Sequence, residues 1–384
     1  MRVGRVWVLA FAIGAIACGN DDGKSEAGVK MADAAMPHAG QRAQAGGGAG
    51  GGPAGAGGHV SGAPGSAGND AAEPGGSGAL DPDAALAPDG GQQDGDAGSD
   101  SGPVPELASG SFLALTYNVA GLPEGLSSSM PARFTPMIGP LLNGYDLVFL
   151  QESWQTPDPN PLAPLRGYHE ILVATANHPH KTVPCEQPFG SDPRRPTALL
   201  CDGVNVFSRI PLETTTTHVA WSTCVDTDSD CLALKGFSMT RAQLAPDLPV
   251  HLYDLHMEAG ISPEDDSARA GGIDQLLAFI GEQSQQTAII VAGDFNLNTD
   301  AEPGASQLAR LLELGALSDA CSELSCEQPG SIDKLLYRSS DELELRAESW
   351  ERESDVFVSS SGEPLSDHAP LAVRFSWSAK PAEP

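Results

Sequence analysis

The apolar positions of this chain fall into short runs between polar turns, and the runs begin only near residue 108. Phe112, Ala114, Thr116 and Asn118 alternate with Leu113, Leu115, Tyr117 and Val119, the period of two expected of a strand. Asp146 opens the apolar run Leu147-Val148-Phe149-Leu150, and residues 288–294 form another, as expected of strands buried on both faces. Further strands are predicted over 203–208, 236–244, 250–256, 332–337, 343–350 and 369–375. Ser262-Pro263 reads as a helix cap with Pro at the first helical position, followed by one apolar face of Ala270, Ile273, Leu276, Leu277 and Ile280. Leu308, Leu311 and Leu312 mark a second helix. Successive strands with few helices predict a layered α/β fold with two packed sheets, and no internal repeat is visible.

The chain ahead of these elements is of another kind. No Phe, Tyr or Trp occurs between Phe11 and Phe112, and residues 19–107 are mostly Gly, Ala, Pro, Ser and Asp. Such a segment buries too little apolar surface to offset its chain entropy, so a disordered tether is expected, with a root-mean-square reach of about 50 Å. Residues 108–378 remain as one domain of about 270 residues, large enough to bury about three quarters of its unfolded surface.

Residues 1–18 read as an export signal. Arg2 and Arg5 precede an apolar stretch, Val6 to Ile16, too short to span a bilayer as a helix. Ala15-Ile16-Ala17-Cys18 resembles a bacterial lipobox, which implies lipidation of Cys18 and anchoring at the cell envelope; Ala15 departs from the commoner Leu, so plain secretion stays open. The other six cysteines are Cys185, Cys201, Cys224, Cys231, Cys321 and Cys326, an even set that suggests disulfides in an exported chain. Six allow fifteen connectivities; the local pairs Cys224–Cys231 and Cys321–Cys326 are favoured, leaving Cys185–Cys201. No CxxC pair or His-Cys cluster suggests zinc. The net charge of −30 and the lack of a basic stripe disfavour non-specific binding to polyanions, though a divalent cation could screen the acid.

Polar residues cluster at predicted strand ends, where open α/β sheets bind ligands. They are Asn118, Glu152, His256, Asp294 with Asn296, Asp333, and the Asp367-His368 pair. Each alone is also an ordinary turn or core residue. Jointly, carboxylates, histidines and asparagines without a cysteine describe a hard-cation site suited to Mg²⁺ or Mn²⁺. Lys235 is either phosphate-facing or solvated, and Trp221 is more plausible as core than as a membrane wedge. The Pro-rich stretch 157–195 reads as a long loop that shapes specificity.

The Gly293-Asp294-Phe295-Asn296 and Ser366-Asp367-His368 elements, with the other clusters in order, resemble the endonuclease/exonuclease/phosphatase superfamily over most of residues 111–376. The resemblance implies a four-layer α/β/β/α sandwich of two mixed sheets and metal-dependent cleavage of phosphoesters. It implies metal ligation by Glu152, Asn118 and Asp367, and phosphate contacts from Asn296, Asn118 and His256. Asp294 would orient or deprotonate the attacking water, Asp333 orient the final histidine, and His368 act as acid or base. Within the superfamily, residues 115–123, 202–211, 235–237 and 254–260 look similar to secreted neutral sphingomyelinases. A monomer acting on a phospholipid headgroup, anchored to the membrane through Cys18, is the implied reading. An extracellular deoxyribonuclease, a lipid or inositol phosphatase, and a surface interaction protein with a degenerate site are the alternatives.

Overall fold

The computed structural model describes residues 107–122, 129–155, 167–186, 192–193, 195–225 and 230–381. The expected export signal with Cys18, and the expected linker as far as residue 106, lie outside the described residues. The elements in chain order are β1 (Ser109–Asn118), α1 (Pro131–Leu141), β2 (Leu147–Gln151), α2 (His169–Thr175), β3 (His180–Lys181) and β4 (Asn205–Ser208). They continue with β5 (Thr217–Ala220), β6 (Gly236–Ala245), β7 (Leu248–His256), α3 (Pro263–Gln283) and β8 (Ala288–Asp294). The last are α4 (Gly304–Gly315), β9 (Ser318–Asp319), α5 (Ala320–Glu323), β10 (Asp333–Arg338), β11 (Leu343–Arg352) and β12 (Leu371–Ala379).

The strands form two six-stranded sheets, ordered β11-β12-β1-β2-β4-β3 and β5-β6-β7-β8-β10-β9. Both sheets are mixed. β1 runs parallel to β2 and β7 parallel to β8, while the remaining pairs are antiparallel. A parallel pair needs a crossover, and α1 and α3 supply them. Each sheet is therefore centred on one βαβ unit, an architectural duplication that leaves no repeat in the sequence.

Alternation along the strands divides their apolar residues into three cores, beside a small cluster of Trp154, Leu200 and Ala233. Phe112, Leu147, Phe149, Leu252, Ile290 and Val373 fill the seam between the sheets. Leu115, Val148, Leu150 and Phe207 face Phe134, Ile138 and Leu172 of α1 and α2. Tyr253, Leu255, Ile289 and Val291 face Ile273, Leu276 and Leu311 of α3 and α4. The result is a four-layer α/β/β/α sandwich. β8, buried at all seven positions, reads as a continuous apolar run because both of its faces are covered. α3 begins at the predicted cap: Ser262 Oγ accepts from Asp265 N at 3.2 Å, and Ser262 N donates to Asp265 Oδ2 at 2.8 Å.

The structure departs from the sequence reading at α1, α2 and the short strands β3, β5 and β9. The stretch 157–195 is not one long loop, because α2 and β3 lie within it. The disulfides are Cys185–Cys201, Cys224–Cys231 and Cys321–Cys326, the favoured set, with Cα separations of 5.8, 5.4 and 4.9 Å. No helix among the described residues is long and apolar enough to cross a membrane.

Candidate active site

The apolar seam between the sheets ends in polar residues. Phe112 and Ala114 of β1 share their face with Thr116 and Asn118; Val250 and Leu252 of β7 share theirs with Asp254 and His256. The same parity links Ile290 and Ala292 to Asp294 on β8, and Leu335 and Tyr337 to Asp333 on β10. Strand pairing then brings these ends level. Asn118 lies opposite Gln151, His256 opposite Asp294, and Asp333 opposite Asp294. β1, β7, β8 and β10 thus carry their functional groups to one end of the seam.

Glu152 directly follows β2 with φ of 54°, a left-handed conformation that a glutamate rarely adopts. Its neighbours hold the backbone there. Val119 N donates to Gln151 O at 3.0 Å and Ser153 N to Gly203 O at 2.9 Å. Gly121 presses against the same peptide, since a Cβ there would lie 2.4 Å from Glu152 O.

Asn118 occupies the centre. Its Nδ2 donates to Glu152 Oε1 at 3.0 Å and Asp294 Oδ2 at 3.2 Å, and lies 3.5 Å from His368 Nε2. Its Oδ1 accepts from Ala120 N at 3.0 Å, which fixes the amide's orientation. His256 Nε2 is 3.5 Å from Asp294 Oδ2, and its buried Nδ1 has no partner. His368 Nδ1 lies 2.9 Å from Asp333 Oδ2, and its Nε2 3.7 Å from Asp294 Oδ2. Ser366 anchors this last loop to β1, donating through Oγ to Asn118 O at 2.7 Å. Asn296 contributes its backbone N to Asp294 Oδ1 at 2.9 Å; its side-chain Nδ2 donates to Met257 O at 3.2 Å, leaving the second N–H for a ligand. Asp367 stands apart. It is exposed, bonds the Ser366 hydroxyl at 3.3 Å, and reaches Glu152 and His368 only through its field.

The two histidines are driven to opposite states. Burial, reinforced by Lys235 and His368, pushes His256 well below the ordinary imidazole range and favours the neutral ring. Burial opposes charge on His368 as well, but Asp333, Asp294 and Asp367 outweigh it and raise its pKa well above the ordinary value. Burial pushes Glu152 up to about 7, with Asp367 adding to the effect. It also raises Asp294 to about 6, against the pull of His368.

Carboxylates gathered this closely are short of compensating positive charge. A hard divalent cation would supply it. One oxygen each of Asp294 and Asp333 and a ring nitrogen of His368 lie within 4.8 Å of one another, and Glu152 faces the same space across Asn118. The residues present fit such an ion.

Lys235, which the sequence leaves undecided, is buried and pairs with Asp230 Oδ1 at 2.8 Å. Burial lowers the affinity of its amine for the proton, but Asp230, Glu152 and Asp294 more than restore it. It is a fixed positive charge beside the cluster. Next to the site, a cleft of about 280 Å³ is lined by Val119, Ala120, Met130, Phe134, Leu365 and Asp367. It is predominantly apolar and begins one residue beyond Asn118.

A model of the endonuclease/exonuclease/phosphatase family matches residues 115–368. Sphingomyelinases of Mycobacterium bovis and Mycobacterium tuberculosis are 31% identical over 299 residues, an overlap of 71% of this chain and 54% of theirs. The chain thus spans about half the length of the curated relatives it matches. Among solved structures, beta toxin from Staphylococcus aureus aligns with a TM-score of 0.48 at 15% identity, covering 68% of this chain and 99% of that one. Sphingomyelinase C from Streptomyces griseocarneus aligns with a TM-score of 0.48 at 19% identity, covering 69% and 99%. With the matched region running from β1 through the loop that carries His368, the chain belongs to the endonuclease/exonuclease/phosphatase family.

Proposed function

We propose that this protein is a divalent-metal-dependent phosphodiesterase that hydrolyses a phospholipid at its headgroup, in the manner of a sphingomyelinase. The observation that carries the reading is the convergence of Asn118, Glu152, His256, Asp294, Asp333 and His368 on one end of the inter-sheet seam. Glu152, with Asp294 adjacent, would hold Mg²⁺ or Mn²⁺; Asn118, expected as a ligand, instead orients both carboxylates through Nδ2, and Asp367, expected as another, stands off and adds negative charge. The bound ion supplies charge neutralisation at a non-bridging phosphate oxygen and a more acidic water.

The chain's own residues do the rest. Asp294 Oδ2, held by the Asn118 amide, accepts a proton from the attacking water. The water oxygen bonds to phosphorus as the bond from phosphorus to the leaving oxygen breaks. His368, charged and oriented by Asp333, gives its Nε2 proton to that leaving oxygen. Asp294 and His368 lie 3.7 Å apart, so the proton taken from water can return to the ring and restore both groups. His256, Asn296 and Lys235 stabilise negative charge on the phosphoryl oxygens.

The apolar cleft beside Asn118 favours a substrate with hydrocarbon next to its phosphate, and the acidic surface disfavours a polyanion. Export, anchoring through a lipidated Cys18, and action as a monomer belong to the same proposal. The test is a Mg²⁺ panel of sphingomyelin, phosphatidylcholine, duplex DNA and inositol phosphates. Release of phosphocholine from sphingomyelin is expected. Preferential cleavage of DNA would replace this reading with a deoxyribonuclease, and preferential release of free phosphate with a phosphatase.

A further inference from the structure

The seam between the sheets is apolar along most of its length and turns polar one layer before the site. In that layer Gln151 Nε2 of β2 donates to Asp254 Oδ1 of β7 at 2.6 Å. Both residues are fully buried, and they are far apart in sequence but face each other from different sheets. Thr116 Oγ1 of β1 donates to Gln151 Oε1 at 3.4 Å, which turns the amide so that its nitrogen meets Asp254. Asp254 Oδ2 meets no side-chain partner, and burial raises the acid's pKa well above the ordinary carboxylate range.

This arrangement is costly as packing. A buried acid held by a single side-chain hydrogen bond is no better for stability than an apolar pair of the same volume. Val250 and Leu252, earlier on the same face of β7, show that the seam accepts such residues. What a hydrogen bond adds is direction. Apolar contacts are non-directional and let two sheets slide, whereas a short N–H···O bond fixes both distance and angle.

The position matters. Gln151 immediately precedes Glu152, and Asp254 stands two residues before His256 on the same face of its strand. We propose that the Gln151–Asp254 hydrogen bond is a strut between the two sheets that sets the separation of Glu152 and His256, making Asp254 a positioning residue for phosphoester hydrolysis. Its kinetic consequence rests on the reading given under Proposed function; its geometric consequence does not.

The test compares four proteins: wild type, Asp254→Asn, Asp254→Ser, and the double variant Gln151→Leu/Asp254→Leu. Asn keeps an acceptor for Gln151, Ser breaks the strut, and the leucine pair replaces it by apolar contact that preserves packing. The last two are expected to lose about 10²-fold in kcat on a Mg²⁺-supported phosphodiester assay with little change in KM. Asp254→Asn is expected to recover activity close to wild type. Crystal structures provide the readout that does not depend on activity. The Glu152–His256 separation should shift in the strut-less variants and stay put in Asp254→Asn. A folded strut-less variant with wild-type kcat overturns the proposal. So does an unshifted separation, an Asp254→Asn as impaired as Asp254→Ser, or failure of both strut-less variants to fold while Asp254→Asn folds normally. A wild type inactive on every phosphodiester would sink the functional reading alone, and the crystallographic comparison would still decide the strut.

Discussion

Asp333 holds His368 by its Nδ1, at 2.9 Å from Asp333 Oδ2. The two residues come from different elements, β10 and the loop before β12, and meet only in the folded chain. The contact fixes the ring angle, so that Nε2 points at Asp294 and at the space beside Asn118. It also helps draw the proton affinities of the two histidines apart: burial beside Lys235 lowers that of His256, while the carboxylate at Nδ1 raises that of His368.

His368→Ala is therefore expected to lower kcat by about 10² to 10⁴ while leaving the fold intact. Asp333→Asn should lower it less, because the ring stays in place but loses the carboxylate that stabilises its charged form. Turnover of a chromogenic phosphodiester, paired with thermal unfolding of each variant, measures both effects. Full activity in His368→Ala would remove this residue from the chemistry.

Removal of divalent metal should abolish turnover, and Mg²⁺ or Mn²⁺ should restore it. The same ions should raise the melting temperature, since a ligand that binds only the folded state stabilises it by mass action. Glu152→Gln should weaken that thermal shift. Activity and melting temperature that are both indifferent to chelation would argue against a metal site in this cluster.

Gly293 adopts φ of 145°, and a Cβ there would lie 2.1 Å from the backbone oxygen of Leu255. That region is essentially closed to other residues. The close approach lets β8 pair with β7 just ahead of Asp294 and His256. Gly293→Ala should cost at least about 1–3 kcal/mol from the backbone alone, and more from the clash. Urea unfolding measures the stability loss, and activity should fall with it because the end of β8 must move. An unchanged midpoint would show that the strand relaxes without cost.

The cleft beside Asn118 gives the substrate reading a separate test. Phe134 is buried in its wall and Met130, 43% exposed, stands at its mouth. Met130→Ser should raise KM for a long-chain phospholipid and leave a short water-soluble phosphodiester unaffected. Equal effects on both substrates would detach the cleft from lipid recognition.

The strand framework was legible because burial on both faces writes itself as apolar runs; β8 matches its predicted span of 288–294. α3 was legible from Ser262-Pro263 and one apolar stripe. α1 was not. Pro136 and Pro140 lie inside it and read as breakers, although Phe134 and Ile138 bury the face that packs on β1 and β2. β5 was missed because all four of its residues are only half-buried, so its pattern is weak. Among the site residues, strand-end position identified Asn118, His256 and Asp294. Lys235 stayed ambiguous because sequence periodicity does not reveal a partner, and Asp230 makes the difference between a solvated and a buried lysine. The left-handed backbone of Glu152 left no trace in residue type, since glutamate has no preference for it.

The domain also contains a titrating pair outside the proposed catalytic set. His218 Nδ1 contacts Asp202 Oδ2, and its Nε2 lies 2.8 Å from Val183 O. Burial disfavours the charged ring, but the Asp202 hydrogen bond and charge outweigh it, so the folded pKa stands above the ordinary value. A group bound more tightly to its proton in the folded state stabilises that state when protonated. The contribution is fully present below the unfolded pKa of about 6.5 and is lost as pH rises through the higher folded pKa. His218→Gln, measured by urea unfolding from acid to alkaline pH, should therefore be less stable than wild type at low pH. The gap should close as pH rises past neutrality. A gap that is constant with pH would mean that His218 contributes through packing alone and that the Asp202 contact is not ionic.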